Sequence, residues 1–427
     1  MESYEFNSLT ILLDKEGASA FSKVSYPIRY GRLAEIKTPG HIFQYNMNGE
    51  IKYVQGRGRH WPHPAEWLKR TMGNDWIYYS SGDYKGVFEV MGEYYFPCLS
   101  YSSNSVFPEK PFENDPVTSA TTAWESIIPE LEELTPRSLP VNLRDFLTRV
   151  AQNNTANLRN RAHRLHRLLG RRVTVLPPDT RHVDYDVIPL MVADGCLYKC
   201  GFCRVKSGQD FLPRTHQDIL KQVQGLKAFY GRDLKNYNSL FLGEHDALRA
   251  GQDVIAFAVE HAYRLLEFEK SYMKGPSLFL FGSADSLLDA KETLFERLSA
   301  FPLSTYINVG LESGDPTTLA ALRKPISPEK VRHAFTRMLD INKTYGNIEV
   351  TANFVFGSDL PVGHLPALFE LTQGRLNSLH AKGTLYLSPL IGVKSKKEGS
   401  KREILRHFKE VKVQSPLPTF LYLIQRL

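Results

Sequence analysis

Cysteine is scarce in this chain of 427 residues: there are four, and three of them, Cys196, Cys200 and Cys203, fall within eight positions. A disulfide framework would spread paired cysteines along a small secreted chain, so these cysteines read as an intracellular metal site and not as oxidised staples. Long apolar runs are also missing. No stretch approaches the roughly 20 residues needed to cross a bilayer. The start, Met1-Glu2-Ser3-Tyr4-Glu5, lacks the basic opening and apolar run of a secretory signal. The expectation is a cytoplasmic protein with no membrane partner. Neither sign of charge dominates: 53 Lys and Arg stand against 46 Asp and Glu, a net +7 and a pI near 9.0. That balance favours an anionic partner without identifying one. Internal repeats, low-complexity tracts and a His-Glu-x-x-His metal spacing are absent as well. With 42% hydrophobic and 23% charged residues, the chain can bury a large core, and disorder is not the default. Its length suits two domains, or one barrel with a substantial extension.

What is present is concentrated chemistry. The segment Gly195-Cys196-Leu197-Tyr198-Lys199-Cys200-Gly201-Phe202-Cys203 spaces its thiols by three residues and then two. Three thiolates this close can hold three irons of a four-iron four-sulfur (4Fe-4S) cluster and leave the fourth open to a ligand that is not protein. A tetrahedral zinc site would want a fourth protein ligand. Such a cluster needs a reducing compartment, in keeping with the cytoplasmic expectation. Cys98, the remaining cysteine, reads as a buried small hydrophobe. With one cysteine left over, an auxiliary cluster bound by several is excluded.

From about Val187 onward, short apolar runs alternate with longer amphipathic stretches, the rhythm of βα units and a parallel sheet. Strands are predicted over 187–193, 239–242, 277–281, 305–311, 348–356 and 384–387. Helices are predicted over 215–230, 253–269, 289–300, 328–343, 365–377 and 401–411. Six such units are too few for a closed eight-stranded barrel. Functional groups are expected where the strands end, which is where the cysteine segment falls. Earlier in the chain, alternating segments such as 42–47 and 86–91, with Asn48-Gly49 as a hairpin signal, predict a small β-rich unit. Its tyrosines and tryptophans read as core and cross-strand pairs before they read as a substrate surface. Residues 124–134 and 143–169 are predicted to be helical. The second carries a basic block, Leu158 to Arg172, which reads as a solvated helix with an apolar stripe or as a patch for tRNA.

The cysteine segment, with Phe202 before its last thiol, closely resembles that of the radical S-adenosylmethionine (radical SAM) superfamily. Later strand ends extend the likeness. Leu242-Gly243-Glu244 is similar to the family's Gly-Gly-Glu segment, with leucine in place of its first glycine. Gly310-Leu311-Glu312-Ser313-Gly314 is similar to a segment of the elongator, methylthiotransferase and coproporphyrinogen-dehydrogenase-like branch. The resemblance covers about half of the chain. It implies an α/β fold: a partial (β/α)6 TIM-type barrel, the radical SAM core, with an N-terminal β-rich plus helical extension. The divisions implied are 1–135 as a β-rich domain, 136–184 as a helical basic linker, 185–395 as the core barrel and 396–427 as a C-terminal extension.

The resemblance further implies a 4Fe-4S cluster on Cys196, Cys200 and Cys203, and S-adenosyl-L-methionine on the open iron. Phe202 would shield the cofactor, Gly243 and Glu244 would meet the methionyl ammonium, and Ser283, with Asp285 second, would face its ribose or carboxylate. Glu312 would lie beside it, Arg323 or Lys324 would pair with the methionyl carboxylate, and Asn353 would hydrogen-bond the ribose. His245 is a candidate acid or base. The implied partners are an electron donor such as flavodoxin or ferredoxin and a small-molecule or peptide substrate. A tRNA-modifying enzyme is the alternative, resting on the basic block. A non-catalytic iron-sulfur sensor or binding protein is the third reading. No Asp-x-His-x-x-Gly signature precedes the barrel, which disfavours methyl transfer through cobalamin.

Overall fold

The computed structural model describes residues 1–427 apart from 7, 23–28, 83–85, 100, 102–103, 105, 107–108, 135–137, 204–209, 244, 358, 374–381 and 391–397. Eight short strands come first: β1 (Glu2–Phe6), β2 (Leu9–Glu16), β3 (Arg32–Lys37), β4 (His41–Tyr45), β5 (Ile51–Gly56), β6 (Trp67–Arg70), β7 (Trp76–Ser80) and β8 (Phe96–Cys98). They pair antiparallel in chain order, a meander. The predicted hairpin turn is formed: Gly49, with φ of +77°, donates to the Asn46 carbonyl between β4 and β5. Helix α1 (Val87–Met91) precedes β8, and α2 (Asp115–Ala123), α3 (Ile128–Leu134), α4 (Val141–Gln152) and α5 (Thr155–Leu169) follow it. One face of the sheet buries Phe43, Tyr45, Leu68 and Tyr78 against Trp124, Leu131, Phe146 and Leu158 of these helices. Tyr53, Trp67, Tyr79 and Tyr95 form a smaller cluster apart from that core.

The second unit is a seven-stranded sheet, all parallel, in the order β17-β16-β15-β14-β13-β12-β9. Its members are β9 (Ile188–Met191), β12 (Ser239–Gly243), β13 (Ser277–Ser283), β14 (Ser304–Glu312), β15 (Ile348–Phe356), β16 (Leu385–Pro389) and β17 (Thr419–Leu421). Between β9 and β12, the two-residue strands β10 (Ala193–Asp194) and β11 (Leu212–Pro213) form a small antiparallel clasp. Helices α6 (His216–Tyr230), α7 (Gln252–Leu265), α8 (Ala284–Asp289), α9 (Glu292–Ser299), α10 (Pro316–Ala321), α11 (Pro328–Thr344), α12 (His364–Gln373) and α13 (Glu398–Gln414) connect the strands. Residues such as Phe241, Phe279 and Phe354 are fully buried, as parallel strands covered on both faces require. Each such side chain contributes about 1.5–3 kcal/mol.

Three expectations are corrected. The alternating segment 86–91, expected to belong to the β-rich unit, is the helix α1, bounded by Gly86 and Gly92 in the left-handed region. Six parallel strands were predicted and seven are present, because the three-residue β17 closes a further unit after α13. The helix expected over 143–169 is two helices, since Asn154 is extended and caps α5 by accepting from the Asn157 amide.

The meander packs against the ends where the parallel strands begin. Just ahead of β9, Asp184 and Asp186 receive Lys69 and Lys52. Ahead of β12, Asn236 exchanges hydrogen bonds with the Arg32 backbone. Ahead of β13, the Lys274 amide donates to the Ser19 carbonyl. The opposite ends, where the strands stop, carry the cysteine segment.

Candidate functional site

The loop that carries the thiols is pinned from three sides. At its base the β10–β11 clasp brings Asp194 opposite Leu212, and Arg214 reaches both carboxylate oxygens of Asp194 at 2.8 and 2.9 Å. Arg171, just past α5, adds a third contact to Asp194 at 3.3 Å. At its far side the Gly201 amide donates to the Leu322 carbonyl at 2.8 Å, in the turn after α10. A Cβ at Gly201 would stand 3.1 Å from both that carbonyl oxygen and Arg323 Cδ, so glycine permits the approach. In between, the Tyr198 hydroxyl donates to Asp285 on α8, which Lys330 also engages.

Cys200 is buried, and Cys196, Cys203 and Phe202 are partly so. Burial pushes the Cys196 thiol up to about 11, and the charges of Asp246, Cys200 and Cys203 push the same way. Burial likewise raises Cys200; Lys324 pulls it back, while Glu312 and Cys203 add to the rise. Among the described residues, no three His, Cys, Asp or Glu side chains converge to hold a metal ion. The sulfurs share a neighbourhood without sharing a coordination centre. As a donor set, three sulfurs with no nitrogen or carboxylate among them suit iron or another thiophilic metal.

The end of β12 supplies the next wall. Gly243 sits against Phe241 and Met191 Cε, and Glu244 lies outside the described residues. Arg171 lies 3.3 Å from His245 Nε2. Asp246, which sequence reasoning passed over, is the notable group. Its Oδ1 accepts from the Ser283 amide at 3.0 Å and the Ser286 hydroxyl at 2.7 Å, while its buried Oδ2 has no partner among the described residues. Burial pushes its pKa up, with the serine hydrogen bonds and Lys324 opposing. A carboxylate oxygen held away from water without a donor is a receptor for a cation or an N–H group. The acid in Glu244-His245-Asp246 was the available sequence signal.

Ser283 caps α8 in a reciprocal box with Ser286, so its hydroxyl already holds a helix start. Glu312 has a φ of +68°, and the β14–β15 register shifts between Gly310 and Glu312. Such a bulge re-aims a side chain. Lys324 meets the Glu312 carboxylate at 3.2 Å and the Gly310 carbonyl at 2.8 Å, with both charges nearly buried. Arg323, at φ +52°, is exposed. Lys324 is thus the basic residue that turns inward. Asn353 and Asn308 exchange hydrogen bonds at 2.5 and 3.1 Å. Below them Asn308 donates to Thr351, and Thr351 and Tyr386 both donate to Asp179. A buried polar ladder thus runs down from Asn353.

No family model matches the chain, and no curated protein matches it. Among solved structures, the chain is similar to the cobalamin-dependent S-adenosylmethionine radical enzyme OxsB, with 19% identity over 44% of this chain and 26% of that one, at a TM-score of 0.33. It is similar to SuiB of Streptococcus suis, with 11% identity over 83% and 70% of the two chains, at 0.36. It is also similar to the radical SAM enzyme coproporphyrinogen III oxidase (HemN) of Escherichia coli, with 12% identity over 53% and 52%, at 0.35. The chain spans between 26% and 34% of the length of the OxsB structures it matches. At TM-scores this low, a functional reading has to stand on the residues of the site.

Proposed function

We propose that this chain is a radical SAM enzyme, built on a partial barrel whose first strand delivers Cys196, Cys200 and Cys203 to the strand-end face. The observation that carries the reading is the three-thiol loop, tied down at its base, middle and far side beside the partnerless Asp246 oxygen. The donor set fits a 4Fe-4S cluster with one iron left for S-adenosylmethionine. Bound there, the pair supplies an electron that breaks a carbon–sulfur bond and a carbon radical that takes hydrogen from a substrate.

This chain's residues have defined tasks in that reading. Asp246 accepts the methionyl ammonium through Oδ2, beside Gly243 and Glu244. Lys324, held by Glu312, and Arg323 at the loop's edge offer positive charge to a carboxylate. Asn353, braced by Asn308, presents an amide to a ribose hydroxyl, and Phe202 screens the loop from water. Ser283 acts by holding α8 and Asp246 in register. The substrate class in this reading is a small molecule or peptide, and the meander packs where the strands begin, away from the cysteine segment. Reaction outcome is set by that substrate and not by the fold.

The test is anaerobic reconstitution with iron and sulfide, then reduction by dithionite with S-adenosylmethionine present. Four irons per chain and release of 5′-deoxyadenosine are expected. Cys196→Ala, Cys200→Ala and Cys203→Ala should each lose most bound iron and all of the product. Full iron retention in any of the three, or a colourless zinc centre, sinks the reading.

A further inference from the structure

Resting on that reading, we propose that the groove between α5, α6 and the β10–β11 clasp is the docking surface for an acidic one-electron carrier protein that reduces the cluster. A groove of about 530 Å³ runs there, lined by Arg167, Leu168, Asp194, Leu212, Arg214 and Lys221 among others. Its lining includes the clasp that frames the cysteine loop: Asp194 is two residues from Cys196, and Leu212 pairs with Asp194 across the clasp. An electron arriving here meets the cluster-bearing loop directly.

The basic block divides its labour. Arg161 turns inward to Glu50 and lies over the Phe229 ring, Arg171 holds Asp194, and Arg172 holds Asp75. Arg159, Arg164 and Arg167 remain exposed on α5, and Lys221 is exposed on α6. None of these four has an ion-pair partner among the described residues. The two helices meet closely, since a Cβ on Gly225 of α6 would stand 2.6 Å from Leu168 of α5. Of the charged side chains that line the groove, Arg167, Arg214 and Lys221 outnumber Asp194 and Asp218, and Asp194 is paired with Arg171 and Arg214. The outward field is positive on balance.

At the centre, Leu212 is 67% exposed, one of few large apolar side chains so placed. An apolar point with a cationic rim suits the small, electrostatically steered encounters of electron-transfer partners. RNA would want exposed aromatic rings on which bases stack. Among the described residues, the strongly exposed large apolar side chains include one aromatic, Phe88 on α1. The observations thus favour an acidic protein. One electron leaves the carrier, which is oxidised by one unit, and enters the cluster, which is reduced by one; no proton or atom changes hands.

The experiment compares reconstituted wild type with the charge-reversed variant Arg159→Glu, Arg164→Glu, Arg167→Glu and Lys221→Glu. Release of 5′-deoxyadenosine is driven either by reduced flavodoxin or by dithionite. With flavodoxin, the variant should run at least about tenfold slower at low salt and lose the salt sensitivity of the wild type. With dithionite, both should run alike. The neutral pair Arg164→Gln and Arg167→Gln keeps the comparison decisive should four reversals unfold α5, and it should show a smaller loss with flavodoxin alone. Equal flavodoxin-driven rates overturn the proposal, as does an equal fall with both reductants. Loss of binding to total tRNA with an unchanged flavodoxin rate assigns the surface to nucleic acid instead. A wild type that yields no product even with dithionite removes the radical reading itself, and this docking role with it.

Discussion

At the scale of single residues, the site joins what was local in sequence to what was not. The three thiols sit within one loop, and spacing alone revealed them. Asp246 was hidden because its significance arises from α8: Ser283 and Ser286, some 40 positions on, satisfy one carboxylate oxygen and leave the other bare. Replacing Asp246 by Asn removes a buried, half-satisfied charge while keeping an acceptor for the serines. Thermal stability of the unloaded protein should hold or rise, since an unpaired buried carboxylate is costly. Affinity for S-adenosylmethionine should fall by about tenfold or more, as expected for losing a charge-assisted hydrogen bond of roughly 1.5–3 kcal/mol. Equilibrium binding and a melting curve read the two effects separately. Unchanged affinity would remove Asp246 from the site. Gly310 makes a second test: a Cβ there would lie 2.6 Å from Glu312 Oε1 and 3.3 Å from Lys324 Nζ. Gly310→Ala should prise that pair apart and cost about 1–3 kcal/mol by overpacking, measured by urea unfolding.

At the scale of elements, periodicity served where strands were long and apolar. The strand predicted over 348–356 is the observed β15 to the residue, and the neighbouring helix predicted over 328–343 extends by one. Ser327, Pro328 and the regular burial of Val331, Ala334, Phe335 and Met338 give that helix a clear start and stripe. Strand β17 escaped notice because three residues cannot display a period. It is specified by partners, pairing with β16 after α13 turns the chain back. The break between α4 and α5 was missed for a different reason: the apolar stripe runs through it, while Asn153-Asn154-Thr155 carries the signal in side-chain hydrogen bonding. Asn154→Ala should cost about 1 kcal/mol. Hydrogen exchange at the Asn157 amide, whose acceptor is lost, should quicken more than exchange in α4. Uniform exchange across both helices would mean that the cap does not set the boundary.

At the scale of the whole molecule, the chain's two large sheets are joined through buried charge, which no pattern of hydrophobicity announces. Lys52 and Lys69 of the meander, 13% and 3% exposed, share Asp186, which is 9% exposed, and Lys69 also reaches Asp184. Burial alone would push the Asp186 acid up, but Lys52 and Lys69 outweigh it and hold the group below the usual carboxylate range. Burial would lower Lys52, yet Asp186, ahead of Tyr237, Tyr53 and Asp233, keeps it well above the ordinary lysine value. Asp186, depressed on folding, contributes stability that is present above its unfolded value near 4 and is lost as pH falls through its folded value. Lys52, raised on folding, contributes stability that is present below its unfolded value near 10.5 and is lost as pH rises beyond it. Between these limits the cluster is intact. Removing Asp186 strands a buried charge: Asp186→Asn leaves Lys52 without its carboxylate and Lys69 with Asp184 alone, at a cost of about 3–5 kcal/mol. The variant should also flatten the acid limb of the stability profile, because the proton it would have bound no longer discriminates folded from unfolded chains. The cysteine loop lies at the far ends of the parallel strands, so iron loading per folded molecule should stay unchanged at neutral pH. Urea titrations between pH 3 and 7, with iron counted on the folded fraction, read both effects. An acid limb identical to the wild type's would mean that the charges at this junction do not hold the two sheets together.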